Sequence, residues 1–251
     1  MTPAPTARRW LLTPTGATAG APDLYCFPHA GGNPAEYARW AEGLGDTTLH
    51  VVRLPGRAGR HREPHAATLA ALVRDFVTDV PLGNGPFSFF GHSLGALVAY
   101  EITRALHTTG RPLPDRLIVS ALPAPHLPRP GHPLHTLPED AFLEAVAARH
   151  GGIPGPVLAS RHLRAMISAP LRADLRLAET HRHHPGPPLP VPTTVFTGAT
   201  DTPAATAPEA WQHHTSPPLT IRTFPGGHFY FRDNEAALLA ALRGTLTAAP
   251  A

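Results

Sequence analysis

The run GHSLG at residues 91–95, with a serine between two glycines, constrains the fold more than any other feature of the chain. The apolar run Phe87–Phe90 before it predicts a strand, and Ala96–Leu106 after it predicts a helix. A strand that turns sharply into a helix holds the serine in a strained conformation, and the glycines remove Cβ atoms that would clash. The pattern therefore predicts Ser93 as an exposed nucleophile.

Strands and helices are predicted to alternate along most of the chain, because short apolar runs are separated by stretches with helical spacing. The predicted strands are Asp23–Pro28, Thr48–Leu54, Phe87–Phe90, Arg116–Ser120, Val191–Gly198 and Leu219–Phe224, and the predicted helices outside the insertion described next are Pro34–Leu44, Thr68–Val80, Ala96–Leu106 and Asn234–Leu246. Such alternation predicts an α/β fold with a mostly parallel central sheet flanked by helices. With the serine turn it indicates an α/β-hydrolase fold, and 251 residues fit one domain over 1–251.

The stretch from about 121 to 190 interrupts this alternation between two predicted core strands. It begins with a Pro- and His-rich segment and continues with two amphipathic stretches, Pro138–His150 and Ser160–Thr180, which predict helices. Pro170 is expected to break or kink the second of them. A mostly helical insertion of this length is interpreted as a lid, so residues 121–190 are predicted to cover the active site.

A serine hydroxyl needs a base to remove its proton, and the 17 histidines must be sorted by position. In this fold an acid and then a histidine follow the serine along the chain. His228 comes directly after the last predicted strand and before the final helix, where the base is required. The histidines at 181–184 and 213–214 lie in Pro-rich or polar segments with no clear approach to Ser93. Because they lack supporting carboxylates, we interpret them as solvated or structural and expect no metal site.

The acid that orients the imidazole is predicted to be Asp201, at the carboxyl end of the strand that precedes the last one. The strand before that ends in SALPAP at 120–125, which offers no carboxylate. Asp174 lies in the insertion, and Asp233 comes after the histidine. The oxyanion of the tetrahedral intermediate is expected to bind two backbone N–H groups, those of Leu94 and Ala30, with the His29 amide as the alternative to Ala30.

Composition excludes several other classes of protein. No stretch approaches the roughly 18 consecutive apolar residues of a membrane span. The formal net charge is +3 without a Lys/Arg run, which argues against nucleic-acid binding. The single cysteine, Cys26, allows no internal disulfide and is interpreted as a small buried apolar residue. A cytoplasmic, monomeric enzyme without metal or cofactor is the expectation.

The motifs taken together resemble the type II thioesterases of polyketide and nonribosomal-peptide assembly lines. The resemblance covers nearly the whole chain after residue 22. It is carried by FPHAGG at 27–32, RLPGR at 53–57, GHSLGALVAYE at 91–101, SALPAPHLPRP at 120–130, LHTLPEDAF at 134–142, LRADLRLAETHR at 171–182, VFTGATD at 195–201 and PGGHFYF at 225–231.

The resemblance implies a free-standing editing enzyme that hydrolyses acyl or aminoacyl thioesters from the phosphopantetheine arm of carrier-protein domains. It implies Ser93 as nucleophile, Asp201 as acid and His228 as base, with Ala30 and Leu94 as oxyanion donors. The chain departs from the family pattern at three positions, where relatives often have an acidic residue, Met and Pro: Ala58, Leu94 and Thr202.

Three other functions stay open at this point. The same three residues could transfer the acyl group to a second carrier or an internal nucleophile, which would make the chain an acyltransferase or a cyclising, releasing enzyme. It could also be a general carboxylesterase with a preference for oxygen esters. Finally, a hydrolase fold can serve as a non-catalytic interaction protein, although the intact Ser93, Asp201 and His228 argue against it.

Overall fold

The computed structural model describes residues 5–14, 20–128, 131–201 and 207–248. These residues form a seven-stranded sheet in the order β1-β3-β2-β4-β5-β6-β7, in which β1 is antiparallel to β3 and the other neighbours are parallel. The strands are β1 Leu11–Leu12, β2 Asp23–Phe27, β3 Thr48–Val52, β4 Phe87–His92, β5 Arg116–Ser120, β6 Thr193–Gly198 and β7 Thr220–Phe224. The six strands predicted from the sequence and their parallel arrangement are confirmed. Strand β1 is an addition, because two residues are too short to show an alternating pattern.

The strand that leads to Ser93 lies in the interior of the sheet. β4 pairs with β2 on one side and with β5 on the other, and all six of its residues are buried. A parallel strand covered on both faces forms a continuous apolar run, which is why the sequence indicates it clearly. Cys26 in the neighbouring strand β2 is fully buried, as expected of a small apolar side chain.

Helices cover both faces of the sheet. They are α1 Pro5–Trp10, α2 Pro34–Ala38, α3 Leu69–Asp79, α4 Leu94–Thr108, α5 Glu139–His150, α6 Gly155–Ala159, α7 Arg161–Thr180 and α8 Glu235–Thr247. Helices α3 and α4 bury Phe76 and Leu97 in the apolar core on one face, whereas α2 and α8 bury Tyr37 and Leu238 on the other. The predicted helix Pro34–Leu44 continues beyond α2 as the 3₁₀ helix Arg39–Gly43. Among the described helices, none is both long and apolar enough to cross a bilayer.

Helices α5, α6 and α7 form the inserted segment between β5 and β6. They share a small apolar cluster of their own, and Ala30 from the loop after β2 packs against it. The buried members of the cluster are Leu134, Phe142, Leu143, Val146, Leu171 and Leu175. Helix α6 is an addition to the two predicted helices of this segment.

Of the break or kink expected at Pro170, the break is wrong, because α7 continues through the proline from Arg161 to Thr180. Proline removes one backbone hydrogen bond from a helix interior. Contacts on both sides of the proline hold the helix together: Ser168 and Leu171 are buried, and the guanidinium of Arg172 donates to two carbonyl oxygens at 2.7 and 2.8 Å.

Candidate active site

Ser93 lies on the turn that joins β4 to α4. Its φ of 55° and ψ of −118° lie outside the regions that L-residues favour. A Cβ on Gly91 would lie 2.3 Å from the carbonyl oxygen of Gly95, and a Cβ on Gly95 would lie 1.9 Å from that of Phe27. The Ser93 amide donates to the Ser120 carbonyl oxygen at 2.8 Å, which ties the turn to β5. The serine is therefore held in a strained conformation by a turn that only glycines can form.

Asp201 and His228 meet at the carboxyl edge of the sheet because they follow the neighbouring strands β6 and β7. His228 Nδ1 lies 3.1 Å from Asp201 Oδ2 and 3.3 Å from Oδ1, and the Asp201 side chain is 1% exposed. The ends of the two strands are so close that a Cβ on Gly198 would lie 2.3 Å from the Gly227 carbonyl oxygen. A carboxylate bound to Nδ1 orients the imidazole and leaves Nε2 as the proton acceptor.

Two cavities with a common wall are each lined by both Ser93 and His228. One has a volume of about 430 Å³ and the other of about 920 Å³. The residues that line both are Ala30, Ser93, His150, Leu175 and His228. No hydrogen bond joins Ser93 to His228 in the described part of the chain. In unliganded sites such contacts are often long and shorten when substrate binds.

Within residues 28–32 of the loop after β2, one backbone amide has no hydrogen-bond acceptor in the described part of the chain. The His29 amide donates to the Tyr37 hydroxyl at 3.4 Å, and the Gly31 amide donates to the Asp174 carboxylate at 2.7 Å. The Gly32 amide donates to the His29 carbonyl oxygen at 2.9 Å. Across the residues described, the Ala30 amide has no acceptor, and neither does the Leu94 amide at the start of α4. This arrangement supports Ala30 rather than His29 as the oxyanion donor, with Leu94 as the second donor.

Three histidines surround His228 and stay uncharged at neutral pH. Burial lowers the pKa of His29 to about 3 and that of His150 to about 4, and it holds the pKa of His92 well below its usual range. The rings of His92 and His150 lie 5.2 and 4.9 Å from the His228 ring. Because they carry no charge, they would not oppose a positive charge on the His228 ring.

Asp174 makes a contact beside the candidate site that the sequence did not predict. It lies on α7 in the inserted segment, is 1% exposed, and accepts the Gly31 amide at 2.7 Å. Both of its oxygens also bind the guanidinium of Arg57. Both residues belong to motifs of the family resemblance: Asp174 ends LRAD at 171–174, and Arg57 ends RLPGR at 53–57. Nothing in the sequence showed that these two motifs touch.

The interpretation of the histidine clusters needs correction at two positions. His181 and His183 line the larger cavity together with Ser93, although we expected no approach to the serine. The reason is that α7 packs against α4, so that its carboxyl end reaches the same side of the sheet as the serine turn. His214 is buried and structural, with Nδ1 2.8 Å from the Tyr100 hydroxyl. In the described ranges, no group of three or more His, Cys, Asp or Glu side chains is arranged to hold a metal ion.

Of the three departures from the family pattern, Ala58 has an unusual backbone conformation. Its φ is 45°, in the left-handed region, and it lines the smaller cavity beside Arg57. Leu94 is buried at the first position of α4. Thr202 lies outside the described residues.

Comparison with known proteins identifies the family. The family model for the thioesterase domain matches residues 22–246. Thioesterase PikA5 of Streptomyces venezuelae is 35% identical over 89% of this chain and 80% of its own.

Two solved structures share the fold. The type II thioesterase BorB of the borrelidin biosynthetic cluster is 33% identical, with a TM-score of 0.80 over 94% of this chain and 97% of its own. RedJ, a thioesterase of the prodiginine pathway in Streptomyces coelicolor, is 37% identical, with a TM-score of 0.80 over 92% and 90%. The α/β-hydrolase fold inferred from the serine turn is thus confirmed. The chain belongs to the thioesterase family and is a thioester hydrolase of the α/β-hydrolase type.

Proposed function

We propose that this thioesterase removes acyl or aminoacyl groups from the phosphopantetheine arm of carrier proteins in polyketide or nonribosomal-peptide biosynthesis, and so clears stalled or misprimed chains. The observation that carries the proposal is that two cavities of different character meet at Ser93 and His228. A carrier-bound thioester extends from its carbonyl in two directions, as an acyl chain and as a pantetheine arm. It therefore needs two spaces that meet at the nucleophile.

The proposed reaction proceeds through an acyl-enzyme. His228 removes the proton of Ser93, whose oxygen attacks the thioester carbonyl, while the amides of Ala30 and Leu94 bind the oxyanion. The carbon–sulfur bond breaks, and His228 returns the proton to the departing thiol. Water, deprotonated in turn by His228, then attacks the acyl-serine carbonyl. The bond to the Ser93 oxygen breaks, the free acid leaves, and His228 returns the proton to that oxygen, while Asp201 stabilises the imidazolium in both halves of the reaction. No cofactor enters any of these steps.

The smaller cavity suits the acyl group. The apolar part of its wall comes mainly from side chains of the inserted segment, among them Val146, Ile153, Val157, Ile167 and Leu171. The charged side chains beside them are paired: Arg57 with Asp174, and Arg232 with Glu36 at 2.8 Å. A wall without unpaired charge favours a hydrocarbon chain over an anionic group.

The larger cavity suits the phosphopantetheine arm. Arg149 and Arg182 line it, and in the described part of the chain neither has a carboxylate within ion-pair distance. The acidic lining residue Glu179 already accepts from the His135 ring at 2.6 Å. Unpaired guanidinium groups bind phosphate oxygens well, because their N–H groups match the geometry of the phosphate. The phosphodiester of the arm is therefore expected at this rim.

The inserted segment, residues 121–190, is proposed to act as a lid. Its helices supply most of the apolar wall of the smaller cavity, and its carboxyl end supplies His181 and Arg182 to the larger one. A substrate that fills both cavities is therefore covered by this segment on the side opposite the sheet. Excluding water from the thioester until the arm has left is the function of such a cover.

The test compares a propionyl-loaded carrier protein with the propionyl thioester of N-acetylcysteamine, which has no phosphate. The double variant Arg149→Ala/Arg182→Ala is expected to lose about tenfold in kcat/KM on the carrier protein and to stay within about twofold on the small thioester. Arg222→Ala is the matched control, because Arg222 is an exposed arginine on β7 outside both cavities. Ser93→Ala should release nothing from either substrate.

Mass spectrometry of the product decides between hydrolysis and its alternative. Free propionate supports the editing function, whereas propionyl found on a second carrier or in a cyclised product identifies an acyltransferase or a cyclising enzyme. Release by Ser93→Ala at the rate of the unsubstituted protein would refute the nucleophile. Equal losses on both substrates in the arginine variant would show that the larger cavity does not recognise the phosphate.

A further inference from the structure

A carboxylate of the inserted segment contacts the loop that carries the proposed oxyanion donor. Asp174 on α7 accepts the Gly31 amide at 2.7 Å, across 143 positions of sequence. Gly31 directly follows Ala30, whose own amide has no acceptor in the described ranges. The peptide group between Ala30 and Gly31 is thus oriented by a side chain that reaches it from the other layer of the molecule.

The carboxylate is itself held in one position. Both oxygens of Asp174 bind the Arg57 guanidinium in a two-pronged contact, and the two side chains are 2% and 9% exposed. A buried, paired carboxylate with a third donor has little freedom to turn. Leu171, one turn earlier on α7, closes the space over the loop, since a Cβ on Gly31 would lie 3.1 Å from its side chain. Helix α7 therefore fits the loop by shape as well as by hydrogen bonding.

We propose that Asp174 is a positioning residue that aims the Ala30 amide at the reacting carbonyl and does so only while α7 lies over the site. Through its contacts with Arg57 and Gly31, Asp174 makes the orientation of the Ala30 amide depend on the position of α7. When α7 moves away, the Gly31 amide loses its acceptor and the loop loses its fixed orientation. The oxyanion is therefore stabilised only while α7 covers the site. This inference rests on the proposed role of Ala30.

The test uses Asp174→Asn, which keeps an acceptor for the Gly31 amide but places an NH₂ group against the donors of Arg57. On the N-acetylcysteamine thioester we expect kcat to fall about 100-fold with KM nearly unchanged, because misplaced donors act on the transition state. Affinity for a trifluoromethyl ketone analogue, which forms an oxyanion on Ser93, should fall in the same proportion. Arg57→Gln/Asp174→Asn, which restores a neutral hydrogen-bonded pair, should recover part of the loss.

Glu139→Gln is the matched control, because Glu139 is a carboxylate of the inserted segment that pairs with Arg172 at 2.9 Å and lies outside both cavities. It should leave kcat and analogue affinity unchanged. If Asp174→Asn fails to fold, as judged by circular dichroism, Arg57→Lys keeps a cation beside the carboxylate without the two-pronged contact. That variant should show a smaller loss of kcat in the same direction.

The rate at which a fluorophosphonate labels Ser93 separates this inference from the proposed function, since labelling needs the oxyanion donors but no carrier substrate. Equal labelling rates in Asp174→Asn and the unsubstituted protein would overturn the positioning role while leaving the function intact. A rise in KM with unchanged kcat would overturn it as well. Slower labelling in the variant, in a protein that hydrolyses no carrier thioester, would retain the positioning role and reject the proposed function.

Discussion

Glycine at position 95 is the residue on which the serine turn depends most directly. An added Cβ would lie 1.9 Å from the carbonyl oxygen of Phe27, which is backbone of a buried central strand and has no space to retreat. We expect Gly95→Ala to lower the free energy of unfolding by about 1–3 kcal/mol or to prevent folding, as overpacking of a rigid core does. Urea unfolding followed by circular dichroism measures the change.

Gly244 provides the control with the opposite sign. It lies in α8, where an added Cβ meets nothing within 4 Å, so Gly244→Ala should stabilise by up to about 1 kcal/mol through helix propensity. If both substitutions change stability equally, the contact with Phe27 is not the reason for glycine at 95.

At the scale of single residues, the sequence indicates the proposed reacting groups but not the groups that orient them. Ser93, Asp201 and His228 could be predicted because each follows a strand, and parallel strands end at the same edge. Asp174 follows no strand, and its partner Gly31 is 143 positions away. A contact of that kind depends on how α7 packs on the core, which no local pattern reports.

Among the elements, the strands are the most predictable and the inserted helices the least. The central strands are buried on both faces and form apolar runs, whereas the two residues of β1 and the short α6 carry no period that a pattern could show. Of the break or kink predicted at Pro170, the break is wrong, since buried side chains on both sides of the proline keep α7 continuous.

Replacing Pro170 with alanine should strengthen α7. The substitution restores a backbone N–H in the helix interior, so we expect slower hydrogen exchange across residues 161–175 and a gain of about 1–3 kcal/mol in the local free energy of opening. Exchange measured by mass spectrometry tests this, with Pro185→Ala in the exposed loop after α7 as the control. Unchanged or faster exchange in Pro170→Ala would mean that the missing hydrogen bond does not limit the stability of α7.

On the scale of the whole molecule, the two cavities are the feature that sequence reasoning could not supply. They form where the inserted segment lies over the ends of β2 and β4, so their walls combine residues more than 100 positions apart. The resemblance to type II thioesterases predicted the reaction, and the helical insertion between two predicted strands predicted the cover, because both can be read from local patterns in the sequence. The different charge of the two cavities emerged only when the partners of each arginine were known.

Acid should destabilise the folded chain over a defined range of pH. Burial, followed by the positive charge of Arg232, lowers the pKa of His29 to about 3, although the Glu36 carboxylate lies 4.0 Å from its Nε2. In the unfolded chain a histidine takes up its proton near pH 6.5. As the pH falls from about 6.5 towards 3, the unfolded state therefore binds a proton that the folded state does not, and stability decreases.

His29→Gln should reduce this dependence by as much as one proton, which corresponds to about 1.4 kcal/mol per pH unit. Urea unfolding between pH 6 and pH 4 measures the slope, and His184→Gln, at an exposed position, is the substitution control. Parallel slopes for His29→Gln and the unsubstituted chain would show that His29 takes up its proton equally readily in both states.

The order of the elements along the chain also has a consequence for biosynthesis of the enzyme itself. The ribosome delivers β4 and its serine first, the covering helices next, and the acid and base only with the last two strands. If Ser93 and His228 act as proposed, the Ser93 hydroxyl of a nascent chain has no base to remove its proton until residue 228 has emerged. The enzyme is therefore expected to acquire activity only after residue 228 has left the ribosome, and a product terminated before residue 228 could not hydrolyse the intermediates of a working assembly line.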